Sequence, residues 1–248
     1  MPDAAPHPGC DTFPLPRLIH DMFFSQEEMP VSLALFDLDN TLLGGDSDYL
    51  WGCFLAEQGV VDRDLHERQN RHFYDQYKSG ELDILEFLRF QLHPLSEHDM
   101  DTLKRWRALF LQEKILPIVL PRAQALVDEH RRRGDLPVII TATNRFITEP
   151  IAGIYGVEEL LATEPEVIEG RFTGGITGTP CYQQGKVKRL TGWLVKHAQT
   201  LQDSWFYSDS HNDLPLLSKV THPVAVDPDE ILREHAAEQG WPIISLRG

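Results

Sequence analysis

Short apolar runs alternate with stretches of helical periodicity over most of the chain. The run at residues 31–36 has no alternating polar positions and ends abruptly in Asp-Leu-Asp-Asn-Thr, a pattern typical of a buried central strand. Further strands are predicted at residues 136–141, 160–163, 205–208, 223–226 and 242–246, with a hairpin at 166–179. Helices are predicted between them at residues 121–133, 147–155, 184–197 and 228–239. This alternation indicates an α/β fold with a doubly wound parallel sheet.

Between residues 46 and 116 the periodicity is helical throughout, and no strand interrupts it. Four helices are predicted there, with Pro94 closing the third helix and Asp99, together with Ser96, beginning the fourth. Gly59, Asp62 and Gly80 mark the other boundaries. The segment is therefore expected to be an all-helical cap inserted into the α/β core.

The predicted organisation has three parts. Residues 1–30 contain six prolines and are interpreted as a proline-rich leader without regular structure. Residues 31–45 and 117–248 form the predicted catalytic core. Residues 46–116 form the cap, which is expected to determine substrate specificity.

The charge balance limits the class of partner. The 248 residues include 23 Lys and Arg against 38 Asp and Glu, which gives a net charge of −15. Nucleic-acid binding is not expected, because phosphate neutralisation needs clustered Lys and Arg. A small phosphorylated substrate stays possible, since a local cationic cluster can oppose the global sign.

The expected location is the cytoplasm. Cys10, Cys53 and Cys181 are widely spaced, which favours a reducing compartment over a disulfide framework. The N-terminus lacks the basic and apolar regions of a secretory signal. No apolar stretch approaches the ~18 residues of a membrane span, so no membrane association is predicted.

Two carboxylates follow the first predicted strand. Asp37 and Asp39 are two positions apart in extended chain, so they project to the same side, roughly 6–7 Å from each other. Like charges at this spacing repel, and a divalent cation with oxygen ligands would stabilise them. The alternative is a solvated turn or a helix cap.

Other polar residues follow later strands, whose carboxyl ends share one edge of the sheet, where ligands bind. The hydroxyl of Thr141 and the backbone amides after it, beginning with Ala142, can hold a phosphate oxygen. Asp209 and Asp213 add negative charge at this edge, and Lys186 begins the preceding helix. Alone, each has a structural alternative: Thr141, Asp209 and Asp213 as helix caps, and Lys186 as solvated surface.

In this order the motifs resemble the haloacid dehalogenase superfamily of phosphohydrolases, over nearly all of the chain after residue 29. The first motif is Asp37-Leu38-Asp39-Asn40-Thr41, the second Thr141, the third Lys186 and the fourth residues 209–213. The helical insert and the hairpin sequence at 169–174 resemble the phosphoserine-phosphatase-like subclass, which includes bacterial histidinol-phosphatase-type enzymes. Ser210 stands where the family often has glycine, a change that keeps the carboxylates.

The resemblance implies a Mg²⁺-dependent phosphatase that hydrolyses a small-molecule phosphate monoester. Asp37 would be the nucleophile and form an aspartyl-phosphate. Asp39 would protonate the leaving oxygen and then deprotonate the attacking water. Asp37, the backbone carbonyl of Asp39, and Asp209 would bind Mg²⁺, with Asp213 supporting them.

The resemblance also implies how the substrate is held. Thr141 and Lys186 would hold the phosphoryl oxygens, and Lys186 would offset repulsion between Asp37 and a dianionic substrate. Asn212 would orient the nearby carboxylates or the phosphate. His211, which lies between these residues, is expected to face solvent.

Substrate choice is expected to depend on the link into the cap. Gly44-Gly45 suits a hinge that lets the cap close. By resemblance to phosphoserine phosphatases, Asp46 or Asp48 could face a substrate ammonium group, the alternative being that Asp46 or Ser47 caps the first cap helix. Phosphoserine also needs a cation for its carboxylate, for which Arg89 is the candidate. The expectation favours an amino-alcohol phosphate such as histidinol phosphate, with phosphoserine as the alternative.

Two further functions compete with hydrolysis. A phosphotransferase that passes the phosphoryl group to an alcohol would use the same residues. A non-catalytic phosphate-binding regulator on this fold would be expected to lack Asp37 or Asp39, and both residues are present.

Overall fold

The computed structural model describes residues 31–248, so the predicted leader at 1–30, with Cys10, lies outside the described residues. The strands are β1 Leu33–Phe36, β2 Leu136–Asn144, β3 Glu159–Ile168, β4 Arg171–Thr177, β5 Trp205–Ser208, β6 His222–Val226 and β7 Ile243–Ile244. They form one seven-stranded sheet in the order β4-β3-β2-β1-β5-β6-β7. All neighbouring strands are parallel except β3 and β4.

The helices are α1 Ser47–Glu57, α2 Arg63–Ser79, α3 Ile84–Ser96, α4 Met100–Phe110, α5 Pro121–Arg133, α6 Arg145–Ile154, α7 Gln184–Lys196, α8 Leu214–Leu217 and α9 Glu230–Gln239. A π-helical segment at Leu111–Ile115 and 3-10 turns at Leu116–Ile118 and His211–Asp213 complete the helical structure of the described chain. The predicted α/β class with a doubly wound, mostly parallel sheet is confirmed. Within residues 31–248, no helix combines the length and the apolar character needed to cross a membrane.

Strand β1 lacks polar alternation because both of its faces are covered. Ala34 and Phe36 point into one apolar core, and Leu33 and Leu35 point into a second core on the other side of the sheet. All four side chains are fully buried. Immediately after β1, the amide of Asp37 donates to the carbonyl of Tyr207 on β5 over 2.9 Å. Two neighbouring strands therefore hold the position of Asp37.

The four helices α1–α4, called the cap helices below, lie between β1 and α5 in the chain. Each begins after an aspartate whose carboxylate accepts backbone N–H bonds: Asp46, Asp62, Asp83 and Asp99. The predicted end of the third helix at Pro94 is wrong, since α3 continues to Ser96. Pro94 lies in the last turn of α3, where the missing N–H removes only one bond of the helix.

Two chain segments connect the cap helices to the core. Leu43 forms an antiparallel bridge with Val119, and the amide of Gly44 donates to the carbonyl of Ile118 over 2.8 Å. The cap helices therefore begin and end beside the loop that follows β1. The hinge expected at Gly44-Gly45 lies in this connection.

The hairpin and the short strand predicted before it form a continuous structure. The first half of β3 pairs in parallel with β2, and its second half pairs antiparallel with β4. Strand β4 packs against α3. The hairpin thus joins the edge of the core sheet to the cap helices.

Candidate active site

A cavity of about 770 Å³ lies between the carboxyl ends of the strands and the cap helices. The structure brings nearly all of the predicted site residues to it. Those lining the cavity are Asp37, Asp39, Asp46, Thr141, Ala142, Lys186, Asn212 and Asp213. Asp209 is not part of the lining, but Thr41 connects it to Asp37.

Lys186 lies at the centre of the buried carboxylates. Its ammonium donates to Oδ1 of Asp37 and to Oδ2 of Asp213, both over 2.7 Å, and the residue is 3% exposed. The alternative of a solvated surface lysine is therefore wrong. Burial alone would lower the pKa of Lys186, but the charges of Asp213 and Asp37 outweigh it and raise the pKa. Lys186 supplies one permanent positive charge.

The hydroxyl of Thr41 joins the first and fourth motifs. Its Oγ1 lies 3.4 Å from Oδ2 of Asp37 and 3.1 Å from Oδ1 of Asp209, and it accepts a bond from the amide of Asp209. One hydroxyl proton cannot serve both carboxylates. Burial, opposed by Lys186, raises the pKa of Asp37 to about 7. Burial and the charge of Asp37 raise the pKa of Asp209 well above its usual range.

These residues fit a Mg²⁺ ion. Within residues 31–248, no three His, Cys, Asp or Glu side chains form a ready-made metal cage. Mg²⁺ needs no such cage, because it usually takes one or two carboxylates and keeps waters or phosphate oxygens as its other ligands. Asp37 and Asp209 are hard oxygen donors, and their raised pKa values reflect negative charge that a cation would stabilise.

Asp39 is held between the core and the first cap helix. Its Oδ1 accepts from the amide of Ser47 over 2.7 Å, and its Oδ2 accepts from the hydroxyl of Thr143 over 2.8 Å. Burial and the charge of Asp46 raise the pKa of Asp39 to about 6. A carboxyl group that titrates near neutral pH is suited to both donating and accepting a proton.

Thr143 is a candidate site residue that the sequence interpretation missed. It lies two positions after Thr141 on β2, and both residues line the cavity. The available signal was the Thr-x-Thr spacing, which places two hydroxyls on one face of a strand. The amide of Thr143 donates to Oγ1 of Thr141 over 3.2 Å. The alternative of Thr141 as the cap of α6 is wrong, because Asn144 caps that helix.

The alternative interpretation of Asp213 as a helix cap is wrong, because its side chain makes no capping hydrogen bond at the start of α8. Its Oδ2 instead accepts from Lys186 and from the hydroxyl of Ser208, both over 2.7 Å. The carboxylate thus fixes the ammonium that contacts Asp37.

Asp46 and Asp48 differ in how their carboxylates are used. Oδ1 of Asp46 accepts from the amides of Asp48 and Tyr49, both over 2.9 Å, so the capping alternative is correct for Asp46. Asp48 is 5% exposed, and the only hydrogen bond that its carboxylate accepts in the described part of the chain is from Asn144 Nδ2 at 3.5 Å. Burial, followed by the charges of Asp46 and Asp39, raises the pKa of Asp48 well above its usual range. Asp48 is thus a buried carboxylate without a strong partner, facing the cavity.

The side chain of Asn212 connects the fourth motif to the cap. Its Nδ2 donates to the carbonyl of Tyr77 at the end of α2, and its Oδ1 accepts from Tyr182 and Gln183. Its Nδ2 also donates to the hydroxyl of Ser210 over 3.3 Å, and within the described chain none of its side-chain bonds is with a carboxylate. The prediction for His211 is wrong, since its side chain is 14% exposed and bonds Asp229 over 2.7 Å.

Few cations reach the cavity. Arg89, the candidate partner for a substrate carboxylate, is exposed on α3 and does not line it. Arg71 lines the cavity, but its side chain is 76% exposed and lies 3.9 Å from Glu67. An ion pair this exposed stabilises little. Among the described lining residues, Lys186 is the only buried cation.

Gly185→Ala is expected to lower kcat/KM at least about tenfold and to destabilise the fold by about 1–3 kcal/mol. A Cβ at Gly185 would lie 1.9 Å from the carbonyl oxygen of Pro180, so the backbone before Lys186 must move. Steady-state kinetics and thermal unfolding measure the two effects. The matched control is Gly192→Ala on the exposed side of α7, where a Cβ meets open space and should leave activity unchanged. Equal behaviour of the two variants would show that this close approach does not position Lys186.

Comparison with known proteins identifies the family. The model of the haloacid dehalogenase-like hydrolase family matches residues 34–218. A histidinol-phosphatase of Neisseria meningitidis serogroup C (strain 8013) is 42% identical over 220 residues, which cover 87% of this chain and 99% of that protein. The chain therefore belongs to the haloacid dehalogenase-like hydrolase family, and the predicted family and phosphatase class are confirmed.

Solved structures share the fold. A protein of unknown function from Bordetella pertussis Tohama I is 43% identical, with a TM-score of 0.83, and the match covers 88% of this chain and all of that one. A substrate-bound phosphoserine phosphatase has a TM-score of 0.66 at 18% identity, over 89% of this chain and 95% of that one. This second likeness concerns the fold alone.

Proposed function

We propose that this protein is a Mg²⁺-dependent phosphatase that hydrolyses an amino-alcohol phosphate, such as histidinol phosphate, through an aspartyl-phosphate on Asp37. The observation that carries the proposal is the charge of the cavity. Lys186 is its one buried cation among the described residues, while seven carboxylate side chains also line it. The acidic lining residues are Asp37, Asp39, Asp46, Asp48, Glu67, Asp75 and Asp213.

Phosphoryl transfer begins at Asp37. A carboxylate oxygen of Asp37 attacks phosphorus, the bond from phosphorus to the ester oxygen breaks, and Asp39 gives its proton to the departing alkoxide. Lys186 contacts Asp37 in the structure, and we propose that its charge neutralises the phosphoryl oxygens. Thr141 and the amide of Ala142 line the cavity and are proposed to hold a phosphoryl oxygen. Mg²⁺, bound by Asp37, the carbonyl of Asp39, and Asp209, would supply further positive charge there.

Hydrolysis of the aspartyl-phosphate completes the cycle. The ionised Asp39 takes a proton from water, the water oxygen bonds to phosphorus, and the bond from phosphorus to Asp37 breaks. Inorganic phosphate leaves, and Asp39 is again protonated for the next turnover. The two hydrogen bonds from Ser47 and Thr143 keep Asp39 in one position for both proton transfers.

An ammonium group on the substrate explains the acidic wall beyond the phosphate site. Asp48 is buried and has one long contact, so a cation would stabilise its ionised form. Asp46 lies beside it, and Oδ1 of Asp46 is already used to cap α1. We therefore assign the ammonium contact mainly to Asp48, with Asp46 as its neighbour.

Phosphoserine suits the cavity less well than an amino-alcohol phosphate. Its carboxylate would need a buried cation, but Arg89 lies outside the lining and Arg71 is mostly exposed. Without such a partner, the carboxylate would be repelled by the acidic lining. The similarity to a histidinol-phosphatase over 87% of the chain points in the same direction.

The test compares three esters with wild type in Mg²⁺ and after chelation: histidinol phosphate, phosphoserine and an amine-free alkyl phosphate. We expect the highest kcat/KM for histidinol phosphate and loss of turnover without metal. Asp48→Asn should lower kcat/KM for histidinol phosphate at least about tenfold, with little change for the amine-free ester. The exposed Asp101→Asn on α4 is the matched control.

Three results would contradict parts of the proposal. Equal rates on all esters would exclude amine recognition, and preference for phosphoserine would favour the alternative substrate. Transfer of the phosphoryl group to an added alcohol, at the expense of phosphate release, would favour a phosphotransferase.

The proposed setting is the reducing cytoplasm, in keeping with the free thiols of Cys53 and Cys181.

A further inference from the structure

Two amide side chains on the cap helices line the cavity and find no hydrogen-bond partner for at least one of their polar atoms in the described part of the chain. Asn70 on α2 is 8% exposed, and its Nδ2 has no hydrogen-bond partner among residues 31–248. Gln91 on α3 is 4% exposed and makes no side-chain hydrogen bond to the rest of residues 31–248. Both line the same cavity as Asp37 and Lys186. A buried amide without a partner costs free energy, so a group that enters the cavity and bonds it would be favoured.

The surroundings of both amides are aromatic. Asn70 and Phe73 are three positions apart on α2, and Phe87 and Gln91 are four apart on α3, so each pair shares a helix face. The rings of Phe73 and Phe87 meet edge to face with centroids 5.4 Å apart, and both rings line the cavity. The cap therefore presents two hydrogen-bonding amides beside two apolar ring surfaces.

We propose that Asn70 and Gln91 bind an uncharged azole ring at the end of the substrate opposite the phosphate. This inference rests on the proposed function and names the substrate class more closely, as the phosphate of an azole-bearing amino alcohol. An azole carries a donor and an acceptor nitrogen in one plane, which matches the donor and acceptor atoms of a primary amide. Its flat faces can pack against Phe73 and Phe87.

Other end groups fit the cavity less well. A second carboxylate would face Glu67 and Asp75, which line the same cavity. An alkyl group would leave the amides of Asn70 and Gln91 unpaired. A three-carbon amino-alcohol phosphate would contact Asp48 but leave much of the 770 Å³ cavity unfilled.

The first measurement needs only wild type. Its kcat/KM for histidinol phosphate, which carries an azole, is compared with that for ethanolamine phosphate, which has the amine and no ring. We expect a preference for histidinol phosphate of at least about tenfold, because sites that hydrogen-bond a polar group discriminate strongly against analogues that lack it. Equal rates on the two amines would overturn the azole inference and leave amine recognition intact. Hydrolysis of neither amine would overturn both proposals.

The second measurement uses Asn70→Leu and Gln91→Leu. Each variant should lower kcat/KM for histidinol phosphate by about 10- to 100-fold, mainly through KM, and that for ethanolamine phosphate by less than about threefold. The control is Gln69→Leu, an exposed neighbour on α2 that should change neither value. Equal losses on both substrates, or a loss in kcat alone, would indicate a structural role and overturn the assignment of these two residues.

Discussion

Asp37→Asn is expected to lower phosphatase activity at least about a thousandfold on every ester. An amide nitrogen or oxygen cannot replace the carboxylate that forms the aspartyl-phosphate, so the two-step route is lost. The fold should survive, because asparagine keeps the shape of the side chain and Lys186 retains its 2.7 Å bond with Asp213. Steady-state kinetics with a generic aryl phosphate measures the loss, and thermal unfolding checks the fold.

The matched control is Asp203→Asn, the same chemical change at an exposed turn. Asp203 has a φ of 53°, a left-handed conformation that asparagine adopts readily, so this variant should be fully active. Acid-quenched wild type should carry phosphate on Asp37 in a base-labile bond, and the Asp37→Asn variant should not. Retained turnover, or a phosphorylated residue elsewhere, would show that Asp37 is not the nucleophile.

The sequence allowed the residues of the candidate site to be grouped because the carboxyl ends of parallel strands lie at one edge of the sheet. Asp37 follows β1 and Asp209 follows β5, and these strands are neighbours although the residues are far apart in sequence. Thr141 precedes the end of β2, on the other side of β1. Topology alone therefore brings the motifs together once the strands are recognised.

The cap contacts could not be predicted in the same way. The rotation of one helix against another decides which side chains reach the cavity, and periodicity does not define that rotation. Arg89 was predicted to reach the substrate and is exposed, while Asn70 and Gln91 received no prediction and line the cavity. Asn212 was expected to contact carboxylates or phosphate, but in the structure its side chain bonds Tyr77, which comes from the cap.

Asp39→Asn is expected to separate the two chemical steps. On an alkyl phosphate, a single turnover should slow by about 10²–10⁴-fold, because the poor leaving group needs the proton of Asp39. On an aryl phosphate, whose leaving group needs little assistance, the first turnover should slow by less than about tenfold. Hydrolysis of the aspartyl-phosphate still needs the base, so a burst of aryl alcohol should precede slow steady-state turnover. Rapid-quench kinetics on both esters measures these rates.

The pH dependence tests the same assignment from a second direction. Because burial and Asp46 raise the pKa of Asp39 to about 6, its acid form predominates below that pH and is lost as the pH rises through it. With saturating Mg²⁺, whose charge would lower the pKa of Asp37 and keep this nucleophile ionised, the single-turnover rate of wild type on an alkyl phosphate should therefore fall as the pH rises through the pKa of Asp39. Asp39→Asn should lack this alkaline limb of the pH–rate profile. Thr143→Val removes a hydrogen bond that lowers the pKa of Asp39, so the limb should move to higher pH. Two results would assign the general acid to another group. One is an alkaline fall in the single-turnover rate that persists in Asp39→Asn, and the other is an equal loss of rate in this variant on alkyl and aryl esters.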